Sequence, residues 1–160
     1  MKFEIVELDE FSGRKASIYS IWINDEEKTL FDKFVEENEF QFESEIGSIT
    51  DRLELIGNVA GAREQFFKLN EGTIGDGVVA LYDSPDRKLR LYCIRYGSNC
   101  IILGGGGLKN VRALQDDEKL KSENYLLRII SKKITESVKN GDIYWSNNGN
   151  KLEGNMIFED

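Results

Sequence analysis

Residues 78–110 read VVALYDSPDRKLRLYCIRYGSNCIILGGGGLKN, and this stretch decides the fold. Runs rich in Val, Ile, Leu and Tyr are separated by two turn signals, DSPD at 83–86 and GSN at 97–99. Such runs are typical of strands, and Gly, Pro, Asn, Asp and Ser are the residues that tight turns favour. The stretch therefore predicts three consecutive strands that form an antiparallel meander.

The residues before this meander predict a hairpin and two helices. Strands are expected at 3–8 and 17–23, the second with clear alternation of its side chains. A helix is expected to begin with Asn24 as its cap and Glu27 completing a capping box, and to end near Asn38. A second helix is expected from Ser44 to Gly61, followed by a short strand at 66–69.

The residues after the meander predict one long helix and a second hairpin. Asp116 or Asp117 is expected to cap the helix, which runs to about residue 140 and stops at Gly141. Its apolar stripe consists of Leu120, Leu127, Ile130, Ile134 and Val138. The tail at 143–158 has the pattern of a hairpin with an NNGN turn at 147–150. The predicted class is α+β with an antiparallel sheet, in one domain over residues 1–160.

Composition narrows the chemistry that this chain can perform. The 160 residues contain no histidine, which excludes Ser-His-Asp and Cys-His catalysis and zinc sites built on imidazole. Two cysteines in predicted strands are expected to be buried free thiols. No apolar run has the length of a membrane helix and no signal-peptide pattern is present, so we expect a cytoplasmic protein without a membrane partner.

Charge is distributed unevenly along the chain. The net charge is −8, which argues against a protein that coats nucleic acid non-specifically. Residues 1–60 carry 6 basic and 15 acidic side chains, whereas residues 61–112 carry 8 basic and 5 acidic ones. The segment that forms the predicted meander is therefore the basic part of an acidic chain.

The middle strand of the meander should present two different faces. Leu89, Leu91 and Cys93 are expected to pack against helices, whereas Arg90, Tyr92, Ile94 and Tyr96 share the opposite face. Pairing Tyr96 with Cys100 would place Tyr92 opposite Gly104 and Arg90 opposite Gly106. In this register the four glycines at 104–107 leave an open floor beside Arg90 and Tyr92, along which a polymer backbone could approach.

Two interpretations of this face follow from the residues. The first is an RNA groove, since arginine binds phosphate through two parallel hydrogen bonds and tyrosine stacks on bases. Lys109 would add a second positive charge, and the surrounding basic residues are Arg63, Lys68, Arg95 and Arg112. The second is an antiparallel sheet with one solvated face, on which Arg and Tyr are ordinary residents. The glycine run matches neither GxxxxGK[ST] nor GxGxxG, so no nucleotide cofactor is expected.

Residues 63–109 also resemble a known family. The pattern is an F-K-L strand at 67–69, a glycine-containing approach, an L-R strand at 89–90, and an aliphatic strand that ends in Gly and Lys. Together with two helices before the sheet and one after it, this order resembles the RelE/HigB-like toxins of bacterial type II toxin–antitoxin systems, in the RelE/ParE superfamily. The hairpin at the start of the chain and the tail at its end would be extensions of that fold.

The resemblance implies a metal-independent endonuclease that cuts messenger RNA on the ribosome and thereby inhibits translation. Neither a metal nor a small-molecule cofactor is expected, and the implied partners are RNA, the ribosome and a cognate antitoxin of the helix-turn-helix type. Arg90 and Lys109 would stabilise the charged transition state, and the candidates for proton transfer are Tyr92, Tyr96 and Lys68. Arg63, Lys68, Arg95 and Arg112 would bind RNA.

Two alternatives remain beside the nuclease. In the first, the RelE/ParE-like fold has lost catalysis and acts as a protein-binding inhibitor. The acidic first third of the chain and the single lysine at 109 favour this alternative. In the second, the protein is an accessory protein whose acidic helices contact basic partners.

Overall fold

The computed structural model of the chain describes residues 1–69, 71–72, 75–109 and 114–159. Three α-helices lie in these ranges: α1 (Leu30–Asn38), α2 (Glu43–Leu55) and α3 (Leu114–Lys139). The strands in the same ranges are β1 (Phe3–Glu7), β2 (Ser17–Ile23), β3 (Phe67–Lys68), β4 (Val78–Leu81), β5 (Leu89–Tyr96), β6 (Cys100–Leu108), β7 (Ile143–Trp145), β8 (Leu152–Gly154) and β9 (Ile157–Phe158). The α+β class and the long third helix that the sequence predicts are confirmed.

The seven-stranded main sheet contains the predicted meander together with strands from the first and last parts of the sequence. Its order is β3-β4-β5-β6-β2-β1-β9, and all neighbours are antiparallel except β2 and β6, which run parallel. The predicted β1–β2 hairpin is confirmed, as is the tail hairpin formed by β7 and β8. The tail then continues into β9, which pairs with β1 at the edge of the main sheet.

One face of the sheet packs against the helix pair α1 and α2. Leu89, Leu91 and Cys93 of β5 lie in this core, as the strand pattern predicts. The helices contribute buried apolar side chains spaced three to four residues apart, namely Phe31 and Phe34 of α1 and Ile46, Ile49 and Leu53 of α2. This core is therefore the one that two sequence patterns indicate, the alternation along β5 and the three- to four-residue spacing on the helices.

The opposite face packs against α3, which covers the glycine run. Leu127, Ile130 and Ile134 of the helix are fully buried. They belong to one apolar cluster with Tyr92, Ile94 and Ile102 of the strands. A Cβ atom added to Gly104 would lie 2.9 Å from Cδ2 of Leu127, and one added to Gly107 would lie 3.3 Å from Cγ of Lys119. The expectation of an open floor above the glycines is therefore wrong, because these residues are small so that a helix can lie close to the strand.

The β5–β6 register is predicted correctly at one end only. Tyr96 pairs with Cys100 and Ile94 with Ile102, as expected. A bulge then lies between Leu91 and Cys93, and beyond it Arg90 pairs with Gly107 in place of Gly106. In a bulge, two residues of one strand oppose a single residue of the other, which shifts the pairing by one.

The helix boundaries differ from the predicted ones in two places. Helix α1 is capped by Thr29, which forms a capping box with Asp32, and not by Asn24. Asn24 has a φ of 51° and lies in the turn that leaves β2, a conformation that Asn tolerates better than most residues. Helix α3 begins at Leu114, so the predicted cap at Asp116 or Asp117 falls inside the helix. Helix α2 continues as a π-helical turn over Ile56–Ala60 and stops at Gly61, as predicted.

Within the described ranges, no helix combines the length and the apolar character that a membrane crossing requires.

The glycine at 106 permits a test of the close approach between β5 and β6. A Cβ at Gly106 would collide with the backbone carbonyl oxygen of Arg90, which cannot move without breaking the sheet. We expect Gly106→Ala to lower the free energy of unfolding by about 1–3 kcal/mol or more. Urea denaturation monitored by circular dichroism measures this change.

Gly47 provides the matched control for the same substitution. It lies inside α2, and a Cβ added there has no heavy atom within 4 Å. Because alanine favours helix more than glycine does, Gly47→Ala should raise the unfolding free energy by up to about 1 kcal/mol. Equal stability of the two variants would contradict the packing described for β6.

Candidate functional site

Three cations converge on the buried carboxylate of Asp83, which is 6% exposed. Nζ of Lys68 lies 2.7 Å from its Oδ1, and Nε of Arg90 lies 3.1 Å from its Oδ2. Nζ of Lys109 also donates to Oδ1, and donates to the carbonyl oxygen of Ser84 at 2.7 Å. We call Lys68, Asp83, Arg90 and Lys109 the Asp83 cluster.

The sheet order explains why these four residues meet. Lys68 lies on β3 and Arg90 on β5, Asp83 follows β4, and Lys109 follows β6. These strands are neighbours in the sheet, so each one delivers a residue of the cluster to the same end. Glu45 of α2 fixes the connecting loop, because its Oε1 accepts hydrogen bonds from the backbone N–H groups of Lys88 at 2.8 Å and Leu89 at 3.3 Å.

The cations determine the protonation of Asp83. Burial alone would raise the pKa of this carboxyl, but hydrogen bonds from Arg90, Lys109 and Lys68 outweigh burial and lower the pKa to about 2. Burial lowers the pKa of Arg90, and the hydrogen bond and charge of Asp83 more than reverse that effect. The cluster therefore combines a carboxylate that stays ionised at neutral pH with three basic side chains, which gives it a formal excess of positive charge.

A groove of about 480 Å³ opens beside the cluster, between β5 and α3. Arg90, Tyr92 and Lys109 line it from the sheet side. The helix side is formed by Asp117, Leu120, Lys121, Asn124, Tyr125 and Arg128, with Glu71 closing one part. Two of the predicted catalytic residues, Arg90 and Lys109, and the predicted tyrosine at 92 thus share one groove.

The two predicted catalytic tyrosines are separated by the fold. Tyr92 lines the groove, whereas Tyr96 packs its ring against Trp145 with 5.5 Å between the centroids. The Tyr96 hydroxyl is buried and has no hydrogen-bond partner among the described residues. Burial raises the pKa of both tyrosines, and the charge of Glu71 raises that of Tyr92 further. Both hydroxyls therefore stay protonated at neutral pH, and only Tyr92 reaches the groove.

The predicted RNA-binding residues are also divided. Lys68 belongs to the Asp83 cluster. Arg63 and Arg95 lie elsewhere and donate from Nε to the carbonyl oxygens of Ala60 at 2.9 Å and Ala62 at 2.8 Å, respectively. Arg112 lies outside the residues that the structure describes.

Sequence reasoning missed two parts of this site. Asp83 was interpreted as a turn residue, because DSPD is a strong turn signal and nothing in that pattern reveals burial. The contribution of α3 was missed because the glycine run was expected to face solvent. The apolar stripe of α3 identified its buried side but not the surface against which that side packs.

The arrangement is suited to binding an anion and not to accepting a proton. Arg90 and the two lysines supply donors and positive charge, which stabilise negative charge on a ligand or a transition state. The low pKa of Asp83 makes it a poor base. The raised pKa of Tyr92 keeps its hydroxyl protonated, so it cannot act as a base at neutral pH and is a weaker acid than an ordinary tyrosine. Among the described residues, no group of three or more Cys, Asp or Glu side chains is placed to hold a metal ion.

Replacing Asp83 tests the electrostatic role of the cluster. The folded-state pKa of Asp83, about 2, lies below the ordinary value of 3.8, so its contribution to stability is complete above about pH 5 and is lost as the pH falls towards 2. We expect Asp83→Asn to lower the unfolding free energy at pH 7 by about 2 kcal/mol, and this difference from the wild type should shrink below pH 4. Urea denaturation at pH 7, 5 and 3 measures both effects.

Asp51→Asn serves as the control, since Asp51 is exposed on α2. It should leave stability nearly unchanged at every pH. A destabilisation by Asp83→Asn that stays constant from pH 7 to pH 3 would show that the carboxylate charge is not what the cluster requires.

Comparison of the chain with protein-family models, with curated proteins and with solved structures finds no match in any of the three. The function of the groove is therefore argued from its own residues.

Proposed function

We propose that this protein is a RelE/HigB-like toxin that cuts messenger RNA and inhibits translation. The observation that carries the proposal is the Asp83 cluster, in which Arg90 and Lys109 line a groove within an otherwise acidic chain. Phosphodiester chemistry needs positive charge where negative charge develops, and this is the chemistry that the cluster is suited to supply.

The proposed reaction uses the RNA itself as nucleophile. The 2′-hydroxyl loses its proton to solvent water as it attacks the adjacent phosphorus. A 2′,3′-cyclic phosphate forms, and the bond from phosphorus to the 5′-oxygen of the next nucleotide breaks. Arg90 and Lys109 stabilise the extra negative charge on the phosphate oxygens during this step. Tyr92, which keeps its proton at neutral pH, donates that proton to the leaving 5′-oxygen and is then reprotonated by solvent. Lys68 shares Asp83 with both cations and thereby keeps the cluster positive.

The proposed partners follow from the same assignment. The substrate is messenger RNA on the ribosome, and a cognate antitoxin of the helix-turn-helix type would hold the toxin inactive. The proposed compartment is the cytoplasm, where translation takes place. An adjacent reading frame that encodes a small helix-turn-helix protein would supply the expected partner.

A second candidate function is supported by a specific observation. Lys109 is only 5% exposed and is already bound to Asp83 and Ser84, so less of its charge is available to a substrate. The protein would then inhibit translation by binding a protein partner and would leave RNA intact. This alternative predicts growth arrest that does not depend on Arg90.

Induced expression in a bacterial host distinguishes these functions. We expect the wild-type chain to arrest growth, and Arg90→Ala and Lys109→Met each to relieve the arrest by reducing cleavage at least about tenfold, since each removes one stabilising donor. Primer extension on transcripts after induction should show discrete new 5′ ends with the wild type and none with the variants.

Lys139→Ala is the matched control, because it removes an exposed cation from the last turn of α3 away from the groove. It should arrest growth as the wild type does. Arrest with intact transcripts would establish the binding alternative. Normal growth despite soluble wild-type expression would argue against both functions.

A further inference from the structure

The geometry points to a base-binding role for Tyr125: we infer that the groove between β5 and α3 holds single-stranded RNA with one base stacked on this ring. The inference rests on the proposed function, because it assigns a residue to the same groove. It extends the site from the strands to α3, which then contributes contacts to the bases in addition to covering the sheet.

Tyr125 is an exposed aromatic side chain that lies in the groove. It is 60% exposed although it lines the groove, and the guanidinium carbon of Arg128 lies 5.1 Å from the centroid of its ring. A cation over one face restricts the orientation of a ring. The exposed part of the ring remains accessible to a second stacking partner, and every nucleic acid base has a flat π-face that can take that position.

The position of Tyr125 along α3 is fixed by its neighbour. Nδ2 of Asn124 donates a hydrogen bond to the carbonyl oxygen of Glu71 at 2.8 Å. This bond anchors the turn of α3 that carries Tyr125 to Glu71, which also lines the groove.

Charge complements the aromatic surface. Four cations line the groove, Arg90, Lys109, Lys121 and Arg128, against the two carboxylates of Glu71 and Asp117. Lys121 is paired with Asp117 at 3.0 Å, whereas Arg90 and Lys109 belong to the Asp83 cluster, in which the cations outnumber the carboxylate. A bound RNA strand would then place a phosphate against the cations Arg90 and Lys109 and a base against the aromatic ring of Tyr125.

The size of the groove favours a single strand. A volume of about 480 Å³ lies within the range of roughly 300–1,000 Å³ that is typical of small-molecule sites. Such a volume is sufficient for one splayed-out nucleotide. Unpaired nucleotides are also the form in which bases can leave their neighbours and stack on an aromatic side chain.

Binding of two labelled oligonucleotides tests the inference. One is an oligouridine with 2′-O-methyl groups, which lacks the hydroxyl needed for cleavage. The other is an abasic oligomer of equal length, which has the phosphates but no bases. Fluorescence anisotropy with purified protein should show that Tyr125→Ala weakens oligouridine binding about tenfold, since stacking on one base has an effect of this order. Tyr125→Phe should bind as the wild type does, because the ring remains.

The abasic oligomer separates stacking from a general loss of structure. Tyr125→Ala should not weaken its binding further, whereas Arg90→Ala should weaken binding of both oligomers. Arg90→Ala should also reduce the slope of log K against log salt by about one, and Tyr125→Ala should leave that slope unchanged. Tyr144→Ala, which removes a 52% exposed tyrosine from β7, is the matched control and should bind both oligomers normally.

Each result decides the inference independently of the proposed function. Unchanged oligouridine binding by Tyr125→Ala would overturn it, as would equal weakening for the abasic oligomer. Failure of the wild type to bind oligouridine would also overturn it. The proposed function is tested separately, by transcript cleavage in induced cells. Discrete cuts in the transcripts together with any of these three binding results would support the nuclease function and contradict base stacking on Tyr125.

Discussion

The close approach of α3 to the glycine run of β6 is the constraint on which the rest of this structure depends. Over residues 104–107 the strand presents no side chains, and Leu127 and Lys119 of the helix occupy the space that Cβ atoms would take. The sheet is consequently covered on both faces, by α1 and α2 on one and by α3 on the other. The groove lies beside this contact, because Leu120, Asn124 and Arg128 of α3 line it while Lys119 and Leu127 of the same turns meet the glycines.

A second consequence concerns the charges at that end of the sheet. A buried carboxylate alone would be costly, and so would three neighbouring cations. Asp83 resolves both problems by binding Lys68, Arg90 and Lys109 at once. The carboxylate holds the cations at fixed positions, and because it is outnumbered it leaves them with an attraction for a further anion. The same arrangement limits how freely Lys109 can move towards a ligand.

Much of the fold could be predicted from the sequence, because the relevant signals are local. Alternation in 89–96 correctly assigns Leu91 and Cys93 to one core, and the stripe through Leu127, Ile130 and Ile134 correctly identifies the buried side of α3. The cap of α1 was misplaced because Asn24 and Thr29 both have capping side chains, and only the turn after β2 distinguishes them. Choices of this kind depend on tertiary context.

The candidate site was only partly predictable for a related reason. Arg90, Tyr92, Lys68 and Lys109 were selected by residue type and strand position, and the structure brings them to one end of the sheet. Asp83 and Tyr125 were not, because their roles depend on which strand and helix they face. The glycine run was the most ambiguous signal, since small residues allow the approach of either a ligand or a helix.

The strand order also has a consequence for how this protein folds. The parallel pairing of β2 with β6 brings together residues far apart in sequence, such as Ser20, whose hydroxyl donates to the carbonyl oxygen of Leu103 at 2.7 Å. The edge strand β9 then pairs with β1, so the first and last strands of the described chain are neighbours. Long-range pairings of this kind slow folding. The sheet cannot be completed until synthesis has passed Phe158, so until then β1 of the emerging chain lacks its β9 neighbour.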